Sequence, residues 1–108
     1  MSAHVRKYAE AGDGWFVAFV DTETGILAVQ SDYGDWGYRW GATGTDDLRK
    51  FLVGLRSDYL SNKFLSARQL YGHAKAVKDE QRRISAFLEK VWPRIVAQMK
   101  AELAEVSS

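Results

Sequence analysis

The sequence contains no cysteine and one proline, Pro93. Without thiols it can build neither a disulfide framework nor a thiolate metal site, and nothing in it requires an oxidising compartment. One proline in 108 residues argues against Pro-rich linkers and disordered tracts. Histidine is nearly as scarce, with only His4 and His73, and neither belongs to an HExxH-type motif. A lone His at a helix start is more often a solvated side chain than a base. No serine occupies a G-x-S-x-G elbow. The residues thus offer no catalytic set, and the expectation is a non-enzymatic protein that needs no cofactor. Long apolar runs are absent too. WFVAFV, Trp15 to Val20, is six residues, far below the roughly 18 that a membrane span needs. The first ten residues, MSAHVRKYAE, lack the apolar core of a signal peptide. A cytosolic chain, neither secreted nor inserted, is expected.

What is present is a globular composition, 46% hydrophobic and 27% charged, in a length that makes one domain. The net charge of +1 conceals an asymmetry. Residues 1–47 carry three basic and eight acidic side chains, a net of −5, and residues 48–108 carry twelve and six, a net of +6. An acidic sheet half (1–44) followed by a basic helical half (45–108) is expected, with either pole available as a docking surface.

The pattern predicts an α+β fold whose antiparallel meander has three or four strands. Ala3 to Tyr8 alternates weakly, as an edge strand does, and Gly12-Asp13-Gly14 suits a turn. WFVAFV is aromatic and β-branched throughout, which predicts a central strand covered on both faces. Asp21 to Gly25 supplies hairpin chemistry, with Gly25 at the position needing positive φ, and Ile26 to Gln30 returns as its partner. Ser31 to Asp35 reads as a turn and Trp36 to Trp40 as a strand. The period of two then places Trp36, Tyr38 and Trp40 on one face, Gly37 and Arg39 on the other.

Helical periodicity takes over after Gly41 to Gly44. Thr45 is the expected N-cap, with Asp46 and Asp47 in the first turn and Leu48, Phe51, Leu52 and Leu55 on one stripe. Ser57 is placed to cap a short second helix that turns Tyr59, Leu60 and Phe64 inward, and Ser66 to Gly72 reads as a connection. From His73 to Val106 apolar residues hold a 3.6 period through Pro93. Proline removes the hydrogen bond to the carbonyl four residues back, that of Glu89. One long helix kinked near Trp92 is favoured, with two helices end to end as the alternative. Unbroken, it reaches about 50 Å, enough for part of it to project and pair with another subunit.

The stretch SDYGDWGYRW, Ser31 to Trp40, is the most crowded in aromatic and charged groups. Its order, followed by a Thr-Gly step, an FL-rich helix and DYL-x-x-KF, resembles a family of small, mostly uncharacterised bacteriophage and prophage proteins. The resemblance runs from Trp15 to Phe64, with Tyr71 to Lys78 similar to the family's downstream helix start. Residues 87–108 carry none of it. It implies a phage origin and a host-cytosol setting, and it brings no catalytic residues.

These residues suggest four kinds of site. Asp32, Asp35, Asp46 and Asp47 are hard oxygen donors, but their spacing matches no EF-hand loop and turns or caps explain them. Gly41 to Thr45 lacks the lysine and spacing of a phosphate-binding loop. Metal and phosphate are therefore not expected. Lys75, Lys78, Arg82, Arg83, Lys90 and Arg94 form the alternative, a basic helix against nucleic acid, though they lie opposite the apolar stripe where a solvated face belongs. The leading expectation is a protein-interaction module that modulates a host or defence process. Asp32, Tyr33, Asp35 and Arg39 are its candidate contacts, and a host or phage protein or a second copy its partner.

Overall fold

A computed structural model describes residues 4–68 and 74–107. Strands β1 (Val5–Glu10), β2 (Phe16–Asp21), β3 (Ile26–Ser31) and β4 (Gly34–Arg39) form one antiparallel sheet in the order β1-β2-β3-β4. Four helices follow: α1 (Leu48–Leu52), α2 (Ser57–Arg68), α3 (Ala74–Lys90) and α4 (Trp92–Ser107). The expected α+β meander is what the chain forms.

The turns follow from their residues. Asp21 accepts hydrogen bonds from the backbone N–H groups of Glu23 and Thr24 at 3.0 and 3.2 Å, closing the β2–β3 hairpin. Gly25 completes it at φ +79, and a Cβ there would collide with the carbonyl oxygen of Trp40. Glycine is required on both counts. The β3–β4 turn is tighter than the sequence suggests. Ser31 pairs with Gly34, leaving Asp32 and Tyr33 as the loop. The Ser31 hydroxyl accepts from the N–H groups of Tyr33 and Gly34 and donates to the Gly34 carbonyl. Asp35, expected in the turn, is consequently a strand residue opposite Gln30.

All helices lie against one face of the sheet. Phe16, Ala18 and Val20 of β2, Leu27 and Val29 of β3 and Trp36 of β4 are buried there with Leu52, Leu60, Phe64, Ile84, Phe87, Val91, Ile95 and Met99. Trp36 stacks on Phe64 with centroids 6.1 Å apart and packs on Phe87 at 5.2 Å. Its indole N–H donates to the buried carboxylate of Glu80 at 2.7 Å. Trp40 is buried as well and donates to the Tyr59 hydroxyl at 3.1 Å, while Tyr38 is half-buried beside it. The aromatic strand face is core, as the period of two predicts.

Besides that turn, further details differ from the sequence expectation: β2 is covered on one face and not on both, and α1 ends at Leu52, leaving Leu55 beyond the helix. The N-cap of α1 is Asp47, not Thr45: its carboxylate accepts from the Arg49 backbone N–H at 3.0 Å and also holds the Arg49 guanidinium. One acid thus satisfies a helix end and a buried arginine together. The second helix continues to Arg68, through residues expected in a connection; residues 69–73, with His73, lie outside the described residues. The C-terminal helical run is interrupted at Val91 alone, which puts Pro93 in the first turn of α4, where its missing N–H costs little. The buried stripe Ile84, Phe87, Leu88, Val91, Ile95, Met99 keeps phase across the break. The run does not project: α3 packs on β4 and α4 on β1, so together they span the sheet.

Candidate interaction surface

Burial alternates along β2 with a period of two, and only one set of side chains is covered. Phe16, Ala18 and Val20 are 0% exposed, whereas Trp15 is 39% and Phe19 42% exposed. Strand register extends the open set into three cross-strand rows. Val5, Asp21, Ile26 and Arg39 form the first, Lys7, Phe19, Ala28 and Gly37 the second, and Ala9, Val17, Gln30 and Asp35 the third. Val5 and Ile26 are 42% and 40% exposed. Among the described residues the fifth large exposed hydrophobic side chain is Tyr59, on α2; Val5, Phe19 and Ile26 belong to the open face by register, and Trp15 precedes β2, beside Ala9 and Val17.

The relief of this face comes from small residues beside large ones. Phe19 stands next to Ala28 and Gly37, and a hollow of about 500 Å³ lies beside these residues. Ala28, Gln30, Asp35 and Gly37 line it, and it continues round the β4 edge to Phe64 and Ala67. A second hollow of about 380 Å³ lies against Ala9, Trp15 and Val17.

Strand β1 departs from the usual arrangement of apolar side chains inward and polar ones outward. Its charged Arg6 and Glu10 lie on the helix side, and its apolar Val5 and Ala9 on the open side. The inward charges are held from α4. Arg94 donates to Glu10 at 2.7 and 3.1 Å, Gln98 donates to the same carboxylate, and Arg6 pairs with Glu102 at 3.6 Å. The hydrogen bonds from Arg94 hold the Glu10 carboxyl below its usual range. Tyr8, the buried residue between them, donates to Glu102 at 3.2 Å, and Glu102 also accepts from the buried Arg49. Burial, seconded by the nearby Glu102 charge, pushes the Tyr8 hydroxyl up to about 12.

The four candidate contact residues do not gather at one place. Asp35 and Arg39 lie on the open face at opposite ends of β4. Asp32 tethers the β1–β2 loop by accepting from the Gly14 N–H at 3.2 Å. Tyr33 turns to the helix side, where it is half-buried and flanks a shallow depression with Asp79, Arg82 and Arg83. The residues that sequence reasoning missed are Val5, Lys7, Phe19, Ala28 and Ile26. For Phe19 the signal was the apolar character of both alternating sets in WFVAFV; Val5, Lys7, Ile26 and Ala28 join it only through strand register.

The basic residues disperse likewise. Arg94 is built into the β1–α4 contact, with its guanidinium 5.1 Å from the Phe16 ring centre. Arg83 pairs with Glu80 at 3.1 Å, Arg82 with Asp79 at 3.8 Å and Lys90 with Glu89 at 3.7 Å. Lys75 and Lys78 are exposed on α3. Among the described residues no group of three or more His, Asp or Glu side chains converges, and no helix is long and apolar enough to cross a membrane.

An open four-stranded meander, packed by helices on one face and left uncovered on the other by the described residues, defines the class: a small α+β domain. The chain belongs to a phage family, designated Phage_phiTE_072, whose model matches residues 2–105. That match takes in the segment after Phe87, in which the resemblance was not readable. No curated protein and no solved structure matches the chain.

Proposed function

We propose that this phage protein is a non-enzymatic protein-interaction module, acting in the host cytosol, whose contact surface is the open face of the sheet. The observation that carries this reading is the gathering of Val5, Phe19 and Ile26 on that face, with Trp15 just before β2, each about 40% exposed. Exposed apolar side chains scattered singly need no explanation, but a contiguous apolar patch with a charged rim is characteristic of interfaces. The rim here is Lys7, Asp21, Asp35 and Arg39, so two of the four candidate contacts, Asp35 and Arg39, belong to it. The hollow beside Phe19 gives the patch a shape that a complementary side chain fills.

A nucleic-acid role through Lys75, Lys78, Arg82, Arg83, Lys90 and Arg94 has weaker support. Four of these six have an acidic partner within 4 Å, which reduces the charge they present to phosphate.

Site-specific photo-cross-linking tests the surface. A benzophenone amino acid replaces Gln30 on the open face or Gln81 on the exposed side of α3, and the phage protein is expressed in a bacterial host. A discrete cross-linked product from position 30, absent from position 81, is the expected result. Failure of position 30 to cross-link, or equal products from both, overturns the reading.

A further inference from the structure

We infer that the occupant of the open sheet face is a second copy of this chain, packed face to face about a two-fold axis parallel to the strands. The inference rests on the proposed interaction surface and adds the partner and its register. Its physical basis is that the face complements itself.

An axis running along the sheet between β2 and β3 reverses strand order and keeps the rows. It lays β1 of one copy over β4 of the other, and β2 over β3. Phe19, the largest knob on the face, then stands over Ala28 of the second copy, beside its Gly37. Those residues line the hollow of about 500 Å³. By symmetry the same insertion occurs twice. Charges follow the same logic. Lys7 comes within one row of the second copy's Asp35, twice by symmetry, while Arg39 and Asp21 are engaged within their own hairpin, Arg39 donating to the Thr24 carbonyl at 3.0 Å and Asp21 accepting from the Glu23 and Thr24 N–H groups. Packed sheets sit about 10 Å apart, within reach of these side chains from both surfaces.

The other two-fold arrangement, with the axis across the strands, is worse. It opposes Lys7 to Lys7, Phe19 to Phe19 and hollow to hollow, which stacks like charges and leaves space unfilled. Its gain is a direct Arg39–Asp35 pair, and this difference makes the two registers separable by experiment.

The area limits the affinity. Four strands at about 4.8 Å spacing and six residues at about 3.4 Å rise give roughly 400 Å² in projection. Accessible area exceeds its projection, so the face falls at the small end of the interface range, where a standard interface buries roughly 800 Å² per partner. A reversible dimer with a dissociation constant in the micromolar range is therefore expected.

Sedimentation equilibrium of the full chain, from about 1 to about 500 μM, reads the result. Wild type is expected to shift from monomer to dimer across this range, and Phe19→Asp to stay monomeric while keeping its far-ultraviolet circular dichroism. Lys7→Glu and Asp35→Lys are each expected to weaken the dimer about tenfold, since each sets like charges together twice. The double variant Lys7→Glu, Asp35→Lys restores it, because the pair is reformed with its signs exchanged. A wild type monomeric throughout, or a double variant as weak as the singles, overturns the inference. If position 30 cross-links a different protein while the chain sediments as a monomer, the dimer fails and the interaction surface stands. If it cross-links nothing, both fail.

Discussion

The two faces of the sheet are made of similar residues at β2 and meet opposite fates there. The covered set is Phe16, Ala18 and Val20, and the open set is Val17 and Phe19, with Trp15 just before the strand. Neither is polar, so β2 alone does not say which set the helices cover. Strands β3 and β4 do: Leu27, Val29 and Trp36 lie on the covered side, and Ala28, Gln30, Asp35, Gly37 and Arg39 on the open one. Polar contacts then fasten the periphery, where Arg6 and Glu10 of β1 engage Glu102, Arg94 and Gln98 of α4 and Glu80 of α3 receives the Trp36 N–H. The open face keeps a smaller apolar set, Val5, Val17, Phe19 and Ile26, among charged neighbours.

The comparison breaks most sharply at two phenylalanines three residues apart. Phe16 is wholly buried and Phe19 is 42% exposed. Phe16→Ala removes a ring packed within the core and under the Arg94 guanidinium. It is expected to cost about 3–5 kcal/mol, read as a drop in the urea midpoint at unchanged slope. A loss below about 1 kcal/mol would mean that the helices are not fixed on that face.

The β1–α4 contact has a pH signature. Tyr8 ionises at about 12 in the folded chain against 10.0 when free, because burial disfavours its phenolate and Glu102 repels it. A raised pKa leaves stability intact below about pH 10. Above that the unfolded chain loses its proton first, and stability falls as pH rises towards 12. The total decline attributable to Tyr8 is of order 2–3 kcal/mol, superposed on whatever other groups contribute. In Tyr8→Phe this component of the alkaline slope is expected to vanish, as followed by urea denaturation between pH 9 and pH 12. An unchanged slope would show that Tyr8 is not held against Glu102.

Much of the fold was legible because it is local. Gly25 at positive φ, the aromatic face of β4 and the stripe of α1 each follow from neighbours within a few residues. The stripe from Ile84 to Met99 was legible through Pro93 because the break spans one residue and shifts no phase. What was not legible is long-range. Trp36 and Glu80 are 44 positions apart, and Tyr8 and Glu102 are 94 apart, so no window of sequence pairs them. The α1 cap was misplaced for a related reason: Thr45 and Asp47 are equally good caps in isolation, and a buried Arg49 decides for Asp47. The candidate site suffered most. SDYGDWGYRW concentrates conspicuous residues in a line, but the strand pleat sends Trp36 to the core and Asp35 and Arg39 to the open face. Asp32 and Tyr33 serve the turn and its neighbours.

The smallest expected effect tests the open face itself. Phe19 is 42% exposed and outside the core cluster, so Phe19→Ala is expected to change stability by less than about 1 kcal/mol when measured near 1 μM, where the proposed dimer is dissociated. At several hundred micromolar the same comparison should widen. Association stabilises only the folded state, so the wild-type melting temperature climbs with concentration while that of the variant stays flat. A large deficit already present at 1 μM would mean that Phe19 supports the monomer fold. Parallel melting curves at every concentration would leave the residue with no partner to explain its exposure. The diverging pair, small when dilute and larger when concentrated, is the result that separates a surface kept for another chain from a core that was merely left half-covered.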